Sequence, residues 1–372
     1  MDKGIDKILL VAGARPNFMK IAPIFRALNH RNQTDQRNQI NYNLVHTGQH
    51  YDYEMSQAFF EDLEIGRPDY FLEVGSASHA VQTAKIMVAF EEVCLKEKPD
   101  AVMVVGDVNS TVACALVAKK MGIRVAHVEA GLRSRDLSMP EEINRMVTDT
   151  LSDWLFVTER SGIQNLKAEG RPETAIHFVG NVMIDNLYYQ LVHLGTGDAG
   201  EEKPSGPYAV LTLHRPSNVD GEEKFREIMD AIVKIAAGLP VYFPVHPRTR
   251  QQIEATGIKR TLNSDRVHLL SALPYRPFLR LFKDAALVLT DSGGLQEETT
   301  ALGIPCFTIR ESTERPVTID EGTNRLVGTS AKGILSAFEE FRSGNSKKGR
   351  VPELWDGKAA ERIIRVLPRK AG

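Results

Sequence analysis

The chain has 372 residues, of which 42% are hydrophobic and 25% charged, so it carries a substantial core and is long enough for two ordinary domains. Lys plus Arg number 46 and Asp plus Glu 48, a net charge of −2. This balance excludes an electrostatic nucleic-acid binder, and no basic block offers itself to a membrane surface.

From Lys7, KILLVAG reads as a buried strand, and it is too short for a signal peptide or a membrane span. Pro16 opens a helical pattern through IAPIFRALNH, since proline suits a first helical turn. YNLVHTG is the next strand. AVQTAKIMVAFEEVCLKEK is a long amphipathic helix, followed by the strand PDAVMVVGD. STVACALVAKKMG is a helix ending at glycine, and IRVAHVE a strand. NRMVTDTLS is helical and DWLFVT strand-like. The stretch from Gly195 to Pro207, rich in Gly, Pro and charge, reads as an interdomain linker. Beyond it the pattern repeats. YAVLTLH, VYFPVH, VHLLSAL, AALVLTD and PCFTIR are strands, with helices from Glu222 to Ala237, near FLRLFKD and from Leu295. Leu354 to Arg369 reads as a last helix, and the sequence leaves open whether it stays with the second half or returns to the first.

Strand alternating with helix predicts an α/β protein of two Rossmann-like, doubly wound parallel-sheet domains. They are expected at 1–190 and 191–372. Cys94, Cys114 and Cys306 stand in apolar or amphipathic contexts without short spacing. They are expected to be buried thiols in a reducing cytoplasm, not disulfide or zinc partners.

In an open parallel sheet ligands bind where the strands end. After AALVLT come Asp291, Ser292, Gly293 and Gly294, then a helix. Two glycines admit a phosphate close to the backbone, and the helix N-terminus attracts an anion. Glu298, one turn on, suits ribose hydroxyls. The bland alternative is a plain turn with Ser292 as helix cap. After KILLVAG, Arg15 and Lys20 put two cations near a glycine turn. Asp107, Glu129 and the pair Glu141 and Glu142 follow neighbouring strands, a crowding of acids suited to acid–base work. His214 and His246 each end a strand in the second half, and Arg315 follows PCFTIR as a phosphate or sugar contact. Walker A, GxGxxG, esterase-elbow and zinc-binding patterns are lacking.

GARPNFMKIAPI, GDVNSTVACALVA, HVEAGLRS, MPEEINR, VGNVMID, LTLHRPSN, TDSGGLQEE and TERPVTIDEGTNRLVGT, in this order, resemble the motifs of non-hydrolysing UDP-N-acetylglucosamine 2-epimerases. The resemblance runs from about residue 8 to about residue 330. It implies the GT-B fold, two Rossmann-like domains facing a cleft, and a cytoplasmic homodimer. It implies interconversion of UDP-N-acetylglucosamine and UDP-N-acetylmannosamine for surface polysaccharide precursors. UDP is eliminated to give 2-acetamidoglucal and then adds back, with no metal or nicotinamide. Asp107, Glu129, Glu141, Lys20 and His214 match the family's catalytic positions. Arg15, His246, Ser292, Gly293, Gly294 and Glu298 match its UDP contacts, and Phe278 an aromatic near the uracil. The resemblance leaves open which carboxylate removes the proton and which returns it.

Three departures stand out. HRPSN replaces HRREN, GARPN replaces GTRPE, and the loop before Glu141 is two residues shorter. Gln49 and His50 match a segment that members use for activation by substrate. Four rival readings remain: a 2-epimerase of a UDP-diacetamido-uronic acid, a GT-B glycosyltransferase, a hydrolysing epimerase and a non-catalytic nucleotide-sugar sensor.

Overall fold

The computed structural model describes residues 4–48, 60–61, 63–194, 204–262, 265–345 and 347–368. Gln49, His50 and most of the expected linker lie outside them. The chain divides into two compact units, Met1–Tyr188 with Glu353–Gly372, and Tyr189–Pro352.

In the first unit the apolar runs become β1 (Lys7–Ala12), β2 (Asn41–His46), β3 (Tyr70–Phe71), β4 (Ala101–Val105), β5 (Arg124–Ala130), β6 (Trp154–Val157) and β7 (Ile176–Phe178). They pair in parallel in the order β3-β2-β1-β4-β5-β6-β7. Helices cover both faces, so β1 and β4 are buried almost end to end, as a parallel strand requires. The second unit holds β8 (Ala209–Thr212), β9 (Val241–Pro244), β10 (Val267–Leu270), β11 (Leu287–Thr290), β12 (Cys306–Thr308) and β13 (Asn324–Leu326). Their order is β10-β9-β8-β11-β12-β13, again parallel.

Both domains are therefore the parallel-sheet α/β type that the alternation of strand and helix predicts. Each sheet reverses its winding once, between β1 and β4 and between β8 and β11. Those reversals are where such sheets open a ligand crevice. The sequence reading misses β3, β7 and β13. They are two or three residues long and lie at or near the sheet edges, too short to set up a pattern.

The helix Ala359–Val366 packs on the first unit. Asp185 accepts from the backbone N–H of Ala359 and Ala360, at 3.0 and 2.7 Å, and so caps that helix. Burial raises its carboxyl to about 6. Cys94, Cys114 and Cys306 are all free and buried. Among the described residues no helix is long and apolar enough to cross a membrane.

Candidate functional site

The carboxyl ends of β1, β4 and β5 bring the first unit's polar residues together. Lys20, in the helix Arg15–Thr34, forms an ion pair with Glu129, and both are buried. Gly106, at φ +67, sits against this pair. A Cβ there would lie 3.0 Å from Lys20 Nζ and 3.2 Å from Asn17 Nδ2. Only glycine fits both the conformation and the space. Asn17 ties the two loops. Its Oδ1 accepts from the Ala14 N–H at 2.9 Å, and its Nδ2 donates to the Val105 carbonyl at 2.9 Å. Glu129 itself has φ +75, beside an irregularity in the β5–β6 pairing. A non-glycine residue held there costs about 1–3 kcal/mol, a strain typical of functional positions.

Asp107 Oδ2 accepts from Arg145 at 2.5 Å, and the same guanidinium reaches Glu142 at 2.7 Å. Glu142 also accepts from the Ser134 and Arg135 N–H groups, each at 2.9 Å. Burial pushes its carboxyl up, but these donors and Arg145 bring it below its ordinary value. Glu142 is thus a clamp on the 134–142 loop. The Glu141 side chain, half-buried beside it, has no hydrogen-bond or ion-pair partner among the described residues. Helix phase separates two neighbours that look equivalent in MPEEINR. The crowding of acids is relieved by two cations, Lys20 and Arg145. Sequence reading missed Arg145, whose partner Asp107 is 38 positions away. Arg15 is exposed at the first position of its helix.

In the second unit, the ends of β8 and β11 are joined by Asp291. Its fully buried carboxylate accepts from the N–H groups of His214 and Arg215, at 3.0 and 2.8 Å, and from Asn218 Nδ2 at 3.3 Å. It also lies 2.8 Å from His214 Nδ1. Burial alone raises this carboxyl, yet His214 and the backbone donors hold it below its ordinary value. The ionised Asp291 fixes Nδ1 as the donor of His214 and orients the ring. The His246 ring lies 5.8 Å away. His246 caps the helix Pro247–Ala255, and its Nδ1 accepts from the Arg248 N–H at 3.3 Å. Its proton therefore sits on Nε2. Burial, then the charges of His214 and Arg248, hold its pKa below the ordinary value.

Ser292 precedes the helix Gly293–Leu302 without capping it through its side chain. The first-turn N–H groups of Gly293, Gly294 and Leu295 have no partner within the helix, which leaves donors and a positive dipole end for an anion. Gly293 is required by close approach. A Cβ there would lie 2.6 Å from an Arg315 nitrogen. Arg315 is buried between Glu314 and Glu297, with its Nε 2.9 Å from Glu297. Arg310 also pairs with Glu314, at 2.9 Å. Arg315 thus packs beneath the turn, held by carboxylates. Glu298, buried on the same helix, accepts from the Tyr275 hydroxyl at 2.6 Å. Burial pushes its carboxyl up to about 7, against the Tyr275 hydrogen bond and with the Glu297 charge. Phe278 is half-buried in the helix Tyr275–Phe282, 5.0 Å from the Phe282 ring.

The sequence model of the family described as UDP-N-acetylglucosamine 2-epimerase matches residues 32–368. The UDP-N-acetylglucosamine 2-epimerase of Methanocaldococcus jannaschii is 40% identical over 97% of this chain and 98% of its own. The UDP-2,3-diacetamido-2,3-dideoxy-D-glucuronate 2-epimerase of Pseudomonas aeruginosa is also 40% identical, over 98% of this chain and 99% of its own. A crystal structure of the M. jannaschii protein, in complex with UDP-GlcNAc and UDP, superposes with a TM-score of 0.87 at 40% identity. It covers 97% of this chain and 99% of that one.

Proposed function

The chain belongs to the UDP-N-acetylglucosamine 2-epimerase family, and we propose that it interconverts UDP-N-acetylglucosamine and UDP-N-acetylmannosamine. It is an isomerase acting on UDP-sugars, with two domains of the GT-B type. The reaction must invert a carbon whose proton is not acidic. In the elimination step a base takes the C2 proton and the bond from C1 to the UDP oxygen breaks. A C1–C2 double bond forms, and UDP departs with the electron pair. In the return step the UDP oxygen adds to C1 and an acid delivers a proton to the opposite face of C2. Atoms and charge balance without an external reagent.

Each requirement has a counterpart. Departing UDP needs fixed positive potential. The turn Ser292–Gly294, with His214 and His246 of the same unit, supplies it, and preorganised donors of this kind are the largest single contribution to catalysis in most enzymes. Glu298 takes the ribose hydroxyls and Phe278 the uracil. Arg315 acts by shaping the turn. Asp107, Glu129 and Glu141 carry the proton traffic, with Lys20 on Glu129. The observation that carries the reading is the Lys20–Glu129 pair beneath Gly106, at a strained Glu129 backbone. Such an arrangement fixes a carboxylate rather than merely burying it.

A homodimer would cover exposed apolar side chains on two helices of the first unit. Val81, Val88 and Leu95 recur every seven residues, exposed, on the helix His79–Glu97, and Ile143, Met146 and Val147 are exposed on Pro140–Leu151. Exposed apolar side chains that gather into a patch mark an interaction site. Three free thiols suit a reducing cytoplasm. The product, an activated sugar, suits transfer into surface polysaccharide precursors.

Separate incubations with UDP-N-acetylglucosamine and with UDP-2,3-diacetamido-2,3-dideoxyglucuronate, followed by NMR of the anomeric protons, test the substrate. Formation of UDP-N-acetylmannosamine is expected. Turnover of the uronate alone would move the assignment to the P. aeruginosa relative's substrate, and free UDP accumulating with free sugar would mean hydrolysis.

A further inference from the structure

His127 and Asp149 lie beneath the first unit's acids, and both are completely buried. His127 is in β5, two residues before Glu129, and Asp149 is in the helix that begins at Pro140. His127 Nδ1 is 2.7 Å from Asp149 Oδ1, and His127 Nε2 is 2.9 Å from the Gly106 carbonyl oxygen. Both neighbours are acceptors, so both ring nitrogens donate. The second carboxylate oxygen of Asp149 accepts from the Gly131 N–H at 3.1 Å and lies 2.7 Å from Arg133. Arg133 is anchored in turn by two hydrogen bonds to Glu169, at 2.8 and 2.6 Å.

The backbone atoms held in this way are special ones. Gly106 immediately precedes Asp107. Gly131 follows Glu129 by two residues. Gly106, Glu129 and Gly131 all have positive φ, at +67, +75 and +81. Two left-handed turns at neighbouring strand ends, one with a non-glycine residue, need an external hold. Asp149 and His127 provide it from below, one gripping the N–H of one turn, the other the carbonyl of the other. Close packing adds to the hold, since a Cβ at Gly131 would lie 2.5 Å from the Gly162 carbonyl oxygen.

Resting on the function proposed above, we propose that the buried Asp149–His127 pair is a positioning device that sets Asp107 and Glu129 at fixed separation for proton transfer at C2. Neither residue touches substrate. Burial would push the Asp149 carboxyl up, yet His127 and Arg133 bring it below its ordinary value, so the clamp is ionic. A misplacement of about 1 Å at a catalytic group lowers turnover about a hundredfold. The UDP contacts of the second unit are untouched.

The test uses the full-length protein and the conservative variant Asp149→Asn. Wild type and variant are compared in kcat, KM, UDP-binding stoichiometry by calorimetry, and the ratio of released 2-acetamidoglucal to epimer. That ratio does not depend on how much enzyme is folded. The expected result is a fall in kcat of about a hundredfold, KM and UDP stoichiometry near wild type, and a raised ratio. Wild-type kcat and ratio in a variant that binds UDP fully would overturn the proposal. If Asp149→Asn does not fold, His127→Gln keeps a donor towards Gly106 but removes the ion pair, and an unchanged ratio there overturns it equally. A wild type silent on every UDP-acetamido sugar would overturn the function instead. A crystal structure of Asp149→Asn then decides the positioning role alone: displaced Gly106 and Glu129 support it, and unmoved ones refute it.

Discussion

Replacing Glu298 by glutamine separates stability from binding. The Glu298 carboxyl is buried, touches the Tyr275 hydroxyl and titrates near 7 in the fold against 4.5 ordinarily. Between those pH values the folded chain holds a proton that the unfolded chain has lost. Stability therefore falls as pH rises from about 4.5 to about 7. At about 1.4 kcal/mol per pH unit the full effect is about 3 kcal/mol. Glu298→Gln retains an acceptor for Tyr275 but has no charge to bury. The variant is expected to match wild type near pH 4.5 and to exceed it by up to about 3 kcal/mol at pH 8. At pH 8, where the folded carboxyl is ionised, UDP affinity is expected to fall about tenfold to a hundredfold, since a charged acceptor for ribose hydroxyls is lost. Urea unfolding of the ligand-free proteins across pH gives the first quantity, and calorimetric titration with UDP the second. A stability difference that does not change with pH would refute the assignment of a buried, raised carboxyl. Unchanged UDP affinity would remove Glu298 from the nucleotide site.

Three further outcomes follow from named contacts. Asp107→Asn should abolish exchange of the C2 proton while UDP still binds, and retained exchange would show that Asp107 does not carry the proton. Gly293→Ala puts a methyl 2.6 Å from Arg315, so it should cost about 1–3 kcal/mol of stability and weaken UDP binding measurably in a calorimetric titration. Full affinity would mean that the turn does not hold the diphosphate. Val88→Glu, on the exposed face of His79–Glu97, should convert a dimer to a monomer in light scattering. A wild type already monomeric would dispose of that interface.

The fold was legible wherever a strand was long enough to be buried on both sides. KILLVAG, AVMVVGD and AALVLTD are continuous apolar runs because helices cover both faces of the sheet. The strand ends then pointed to Lys20, Asp107, Glu129, His214 and the turn at Ser292, which the structure puts beside the two winding reversals. What the sequence hid is partnership. His127 in HVE looks like an ordinary core residue, and nothing local ties it to Asp149, 22 positions on. Arg145 looks like a surface cation of an amphipathic helix until Asp107 meets it. Asp291 reads as part of an anion turn, yet its carboxylate is spent on holding the His214 loop. Arg315 reads as a lone cation after a strand, and nothing local shows that Glu297 and Glu314 flank it or that it packs against Gly293. These are tertiary choices made by side chains far apart in sequence, beyond the reach of periodicity or turn chemistry.

Incubation with UDP-N-acetylglucosamine in deuterated water tests the central claim most directly, because elimination and return exchange the C2 proton with solvent. UDP-N-acetylmannosamine carrying deuterium at C2 is expected, with the remaining UDP-N-acetylglucosamine becoming labelled as the reaction nears equilibrium. Epimer formed without deuterium, or no exchange with any UDP-acetamido sugar, would contradict it.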